Sequence, residues 1–95
     1  MVTITLTAEE ERLTQMMKAL GNPARMQIMR YLSATPGCIT GDIVQVLPLA
    51  QATVSQHLKV LRDAGLIMGT IDGTATCYCI HEGNVAWFKE QINSL

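Results

Sequence analysis

The sequence predicts a mainly α-helical domain with a small β-hairpin, in the order α-α-α-α-β-β-α. Over most of the chain, apolar residues recur at the 3.6-residue spacing that is typical of amphipathic helices. Two short stretches near the C-terminal end instead have the character of strands, and the turn sequence Asp72-Gly73 separates them. With 95 residues, we expect a single domain over residues 1–95.

Capping residues and helix breakers set the boundaries of the helices. Thr7 with Glu10 is the Ser/Thr-x-x-Glu capping box that begins a helix, and Asn22-Pro23 supplies an N-cap followed by a first-turn proline. Pro48 ends a short third helix, and Gly65 is the glycine expected after the end of the fourth. The predicted helices are Thr7–Leu20, Pro23–Ala34, Thr40–Leu47, Ala50–Ala64 and a last one from about Asn84.

The third and fourth predicted helices, joined by a tight turn, form a helix-turn-helix pattern. With Val54, Leu58 and Leu61 facing inward, the fourth helix is left with an outer face of short polar and basic side chains. Glutamine suits adenine, hydroxyl groups suit base edges or phosphates, and the basic residues suit phosphates. The candidate DNA-contacting residues are Gln51, Thr53, Ser55, Gln56, Lys59 and Arg62, together with Arg25 on the second helix.

A polar helix face is, on its own, equally compatible with a solvated surface. The predicted strands Leu66–Ile71 and Thr76–Ile80 follow the helix-turn-helix directly, which is the winged helix-turn-helix arrangement with the hairpin as the wing. This order favours double-stranded DNA as the partner, with Gln51, Ser55 and Gln56 as the best candidates for reading bases.

Three stretches of the chain resemble the ArsR/SmtB-type transcriptional repressors. They are Ala19–Arg25 (ALGNPAR), Leu49–Leu61 (LAQATVSQHLKVL) and Ala64–Ile67 (AGLI). The resemblance implies a homodimer built from the first and last helices, which binds an imperfect inverted repeat at its own operon's promoter. It also implies release from DNA when an effector binds, most often a metal or metalloid ion.

The apolar stripes of the two terminal helices support the dimer on separate physical grounds. A domain of this size has few ways to cover both stripes, so a monomer would expose a large apolar patch. Packing within one chain is the alternative for these residues. The candidate interface residues are Leu13, Met16, Met17, Trp87, Phe88 and Ile92.

The three cysteines are the candidate effector site. Cys77 and Cys79 are two apart on a predicted strand and so share one face of it. In winged helices the stretch before the third helix pairs with the second wing strand, and here that stretch contains Cys38. Three thiolates suit a soft three-coordinate ion, with arsenite, As(III), as the leading candidate and antimonite or cadmium behind it. Buried cysteines without a function and a thiol redox switch are the alternatives.

Two metal sites known in the resembled family do not carry over to this chain. A Cys-x-Cys-Asp motif in the third helix corresponds to Ile39–Asp42, where only Asp42 matches. The other site uses Asp, His and Glu on the last helix. From Asn84 onward this chain has Glu90 but no Asp or His. The sequence therefore disfavours both of these sites and leaves the three thiols.

Charge and composition narrow the function classes. The formal net charge is -1, so any DNA binding depends on local placement of basic residues, and we expect a modest dependence on salt. No apolar run approaches the roughly 20 residues of a membrane span, and we expect a cytoplasmic protein. Phosphate-loop and metalloprotease motifs are absent from the sequence, which predicts that the chain is not an enzyme. A winged-helix protein-interaction module without DNA binding remains as the other class.

Overall fold

The computed structural model describes residues 4–35, 47–72 and 75–95. Within these ranges the predicted elements are confirmed, with boundaries that differ by at most two residues. The predicted third helix, Thr40–Leu47, falls outside the described residues except for Leu47. The elements are α1 (Ala8–Leu20), α2 (Pro23–Ala34), α3 (Gln51–Asp63), β1 (Ile67–Asp72), β2 (Ala75–Ile80) and α4 (Glu82–Asn93).

The first two helices begin with the caps that the sequence predicts. The Thr7 backbone N–H donates to the Glu10 carboxylate at 2.9 Å, and the Glu10 N–H donates to the Thr7 hydroxyl at 3.1 Å. The Asn22 side-chain oxygen accepts hydrogen bonds from the N–H groups of Ala24 and Arg25. Both helix starts therefore have side-chain acceptors for first-turn N–H groups, which otherwise lack partners within the helix.

The C-terminal end of α3 is a Schellman motif. The Gly65 N–H donates to the Arg62 carbonyl at 2.9 Å, and the Leu66 N–H donates to the Leu61 carbonyl at 3.0 Å. Gly65 has a φ of 82°, in the left-handed region that favours glycine. Leu61 and Leu66 are both fully buried, so the chain leaves the helix with its next apolar side chain already in the core.

The core lies where α1, α2, α3 and β1 meet. Val54, Leu58 and Leu61 form a buried ridge along α3, as predicted. Burial of such side chains contributes about 1.5–3 kcal/mol each, so this ridge is a major part of what holds α3 in place. The largest fully buried side chains are Met16, Ile28, Val54, Leu61, Leu66 and Ile67.

The hairpin connects the core to α4. The two strands pair antiparallel, with Met68 opposite Cys79 and Gly69 opposite Tyr78. Tyr78 and Ile80, on the face of β2 opposite Cys77 and Cys79, pack against the core. His81 directly follows β2 and is the N-cap of α4. Its imidazole Nδ1 accepts a hydrogen bond from the Asn84 N–H at 3.1 Å.

None of the helices in the described ranges combines the length and the apolar character needed to cross a membrane.

Replacing Gly65 by alanine is expected to lower the free energy of unfolding by about 1–2 kcal/mol. The left-handed backbone disfavours a Cβ atom, and the new Cβ would lie 3.0 Å from the Asn84 side-chain nitrogen. Gly21→Ala is the matched control, since φ is -76° there and a Cβ would make ordinary contacts of 3.5 Å.

Urea unfolding followed by circular dichroism, at one fixed protein concentration, measures both variants. The control should stay within about 0.5 kcal/mol of the parent chain. Equal losses for the two variants would contradict the role given to the Gly65 backbone.

Candidate nucleic-acid interface

The outer face of α3 is polar and exposed. Gln51, Ser55 and Gln56 are exposed, while Thr53 is half-buried at the edge of the helix. The buried ridge fixes the rotation of the helix about its axis, so Gln56 faces away from the core, while Gln51 and Ser55 lie at the side of the ridge. All three predicted base-reading residues are exposed, and Gln56 points furthest outward.

Helical geometry singles out the residues that point furthest outward. Ala52, Gln56, Lys59 and Asp63 are spaced i, i+4, i+7 and i+11, so they lie along one line of the helix surface. All four are exposed, and the line runs opposite the buried ridge. The small Ala52 side chain near the start of this line leaves room for close approach of a duplex.

The basic end of this face carries an acidic residue that the sequence argument missed. Arg62 Nε lies 3.8 Å from a carboxylate oxygen of Asp63, and both side chains are exposed, at 46% and 60%. An exposed pair of this kind contributes only about 0.2–1 kcal/mol, so Arg62 can exchange it for a phosphate. Asp63 nevertheless reduces the positive charge that Lys59 and Arg62 present. Adjacency of Arg62 and Asp63 in the sequence was the available signal.

The N-terminal end of α3 differs from those of the first two helices. Its N-cap residue is Ala50, which has no side-chain oxygen, and no side-chain hydrogen bond caps the helix. Among the described residues, the first-turn N–H groups from Gln51 to Thr53 therefore lack a side-chain acceptor at the positive end of the helix. Such groups suit a phosphate oxygen.

Arg25 is less exposed to solvent than Gln51, Ser55 and Gln56 of α3. It lies in the first turn of α2, and its backbone N–H donates to the Asn22 side chain at 3.2 Å. Its side chain is half-buried, and its Nε has no hydrogen-bond partner among the described residues. Contact between Arg25 and DNA stays a prediction.

The structure describes two of the three candidate thiols. Cys77 and Cys79 are half-buried on β2, and the alternation of the strand places them on one face, opposite Thr70 and Met68 of β1. Cys38 lies outside the described residues. Within the described ranges, no group of three or more His, Cys, Asp or Glu side chains is arranged to hold a metal ion.

The candidate interface residues divide between surface and core. Met17 and Ile92 are exposed, at 40% and 38%, and Leu13, Trp87 and Phe88 are half-buried. Met16 has no exposed surface and lies in the core of its own chain. Its assignment to a dimer interface was wrong, because it lies on the inward edge of the α1 stripe.

The sequence matches the family described as bacterial regulatory protein, arsR family, over residues 22–68. It is also similar to the HTH-type transcriptional regulator YgaV of Escherichia coli (strain K12). The two share 35% identity over 75 residues, which is 79% of this chain and 76% of the relative.

Solved structures are similar to the whole fold. The homodimeric winged helix-turn-helix DNA-binding domain of a possible ArsR-family regulator from Mycobacterium bovis has a TM-score of 0.75 and 25% identity, with 99% of this chain and 88% of that chain covered. A possible transcriptional regulator for arsenical resistance has a TM-score of 0.73 and 26% identity, covering 84% of this chain and 81% of that chain. These similarities confirm the predicted winged helix-turn-helix fold class.

Proposed function

Since the chain belongs to the arsR family of bacterial regulatory proteins, we propose that it is a transcriptional repressor that binds operator DNA as a homodimer. The family and the named relative are regulators, which confirms the predicted family and the prediction that the chain is not an enzyme. A regulator of this kind works in the compartment that holds the DNA, so the proposal includes a cytoplasmic location.

The observation that carries the proposal is the exposed polar face of α3 above its buried ridge. A recognition helix must present amide and hydroxyl groups to base edges while its other side is held rigidly by the domain. Gln51, Ser55 and Gln56 provide the first requirement, and Val54 and Leu58 provide the second. A protein-interaction module would place apolar or aromatic groups at the three polar positions, so the same face disfavours that alternative.

The terminal helices support the homodimer. None of the residues of α4 is fully buried in the single chain, and the apolar side chains of Met17 on α1 and Ile92 on α4 are exposed. A second copy would cover this surface, which we define as the terminal-helix face. A two-fold pair would also place two recognition helices about 34–36 Å apart, one turn of DNA.

Few positive charges face the duplex in this proposal. Lys59 and Arg62 are exposed on α3, and Asp63 stands beside them. Uncapped N–H groups at the start of α3 add neutral phosphate contacts, which release few counterions. The proposed complex therefore has a modest dependence on salt and draws much of its affinity from hydrogen bonds.

For the effector, the proposal is a thiophilic ion, with arsenite first. Cys79 lines a groove that also includes Thr35 at the end of α2. Cys38 is three residues beyond Thr35 in the sequence. Similarity to a possible regulator for arsenical resistance adds support for arsenite. Three thiols would replace the three hydroxyl groups of arsenous acid and release three waters.

A chelate of this kind would act on the helix-turn-helix through the hairpin. Cys77 and Cys79 lie on β2, whose partner strand β1 begins four residues after the end of α3. Tying β2 to the segment after α2 would favour one orientation of α3 over another. An effector shifts the equilibrium only by its difference in affinity for the two orientations, and a few kcal/mol suffices for release.

Charge substitutions on α3 test the DNA proposal. Lys59→Gln is expected to weaken binding to the protein's own upstream DNA and to reduce the slope of log affinity against log salt by about one to two units per dimer. Asp63→Asn is expected to tighten binding by about two- to fivefold, because Arg62 loses its competing carboxylate. Fluorescence anisotropy of labelled DNA over a salt series measures both.

Lys89→Gln is the matched control, since it also removes one positive charge, but from α4 and not from α3. It should leave the slope unchanged. Salt-independent binding by the parent chain, or equal effects of Lys59→Gln and Lys89→Gln, would contradict the phosphate contacts.

Cysteine substitutions test the effector. In a phosphine reductant, arsenite is expected to release the parent chain from DNA, while Cys38→Ser, Cys77→Ser and Cys79→Ser each keep DNA binding and lose most of the response. Tyr78→Phe, between the two strand thiols but on the opposite face, is the control and should respond normally.

Anisotropy with increasing arsenite measures the response. An unchanged response in all three serine variants would remove the thiol site. Release by peroxide but not by arsenite would replace the arsenite proposal with the redox alternative.

A further inference from the structure

The Asn84 side chain connects three parts of the fold: α1, α4 and the end of α3. Its Nδ2 donates to the Gly65 carbonyl at 2.9 Å, and its Oδ1 accepts a hydrogen bond from the Arg12 guanidinium. Asn84 lies in the first turn of α4, Arg12 lies on α1, and Gly65 follows the end of α3. One amide therefore bonds both terminal helices to the end of the recognition helix.

The chemistry of the partners fixes which way this amide faces. A guanidinium only donates hydrogen bonds and a backbone carbonyl only accepts them, so the oxygen must face Arg12 and the nitrogen must face Gly65. Asparagine is short and carries both a donor and an acceptor, which this position requires. An aspartate has the same shape but has no donor for the Gly65 carbonyl.

Both ends of the link are themselves held in place. The Arg12 guanidinium stacks over the Trp87 ring, 4.2 Å from its centroid. The Asn84 backbone N–H donates to His81, the N-cap of α4. Gly65 is fixed by the Schellman motif. A rotation of α3 relative to the terminal helices would therefore stretch or break the hydrogen bond from Asn84 to Gly65.

We propose that Asn84 is a positioning residue that sets the angle of the recognition helix relative to the terminal-helix face. The inference rests on the proposed function, in which that face joins two copies and α3 enters the major groove. In such a dimer the angle decides whether both copies of α3 meet successive grooves at once. A single copy of α3 can dock on a half-site without that angle being held.

The test compares two duplexes, the operator defined by footprinting on the upstream DNA and a duplex with only one of its half-sites. For Asn84→Asp we expect affinity for the operator to fall about tenfold, because one net hydrogen bond is lost in each of two copies. Affinity for the single half-site should stay within about twofold. Anisotropy gives both values, and their ratio is the result.

A second variant and a control keep the outcome clear. Arg12→Gln removes the guanidinium that bonds to the Asn84 oxygen, and it should lower the ratio of operator to half-site affinity. Asn93→Asp is the control, because Asn93 is exposed at the far end of α4, and it should leave that ratio unchanged. A purely structural defect reduces the active fraction and lowers both affinities together, so an unchanged ratio overturns the inference.

Sedimentation of each variant completes the test. Variants that remain dimers with a lowered ratio support the inference. A variant that becomes monomeric overturns it, because Asn84 would then act at the interface itself. If the parent chain binds neither duplex, the proposed function fails, and the positioning role fails with it.

Discussion

Burial of the Val54, Leu58 and Leu61 ridge is the constraint on which the rest of the structure depends. The ridge fixes the rotation of α3, so the opposite line of Gln56 and Lys59 has to face outward. It also connects α3 to the core shared with α1, α2 and β1. A surface that reads DNA needs this rigidity, because polar contacts discriminate between bases only when their geometry is held.

The two ends of α3 have opposite characters, and each suits a different task. At the N-terminal end, Ala50 supplies no side-chain cap, so within the described part of the chain the first backbone N–H groups lack a side-chain acceptor and suit an anion. At the C-terminal end, Gly65 closes the helix with a Schellman motif, and its carbonyl accepts the bond from Asn84. The proposed thiol site on β2 is connected to this end of α3 through β1, the other strand of the hairpin.

Local signals in the sequence predicted much of the fold. The caps at Thr7 and Asn22 work through neighbours three residues away or fewer, so the pattern alone located them. The start of α4 was placed two residues late because its cap is His81, an uncommon capping residue. Which edge of the α1 stripe faces inward, and thus the burial of Met16, depends on packing between distant segments. The bond between Asn84 and Gly65 is likewise invisible in a linear pattern, since the chain folds back to form it.

Chemical footprinting of the protein on its own upstream DNA tests the central claim most directly. Dimethyl sulfate methylates guanine N7 in the major groove, where the outer face of α3 is placed by this account. We expect two protected patches that are related by an inverted repeat and centred about one helical turn, roughly 10 base pairs, apart. Protection of a single patch, or binding with the major groove left fully reactive, would contradict it.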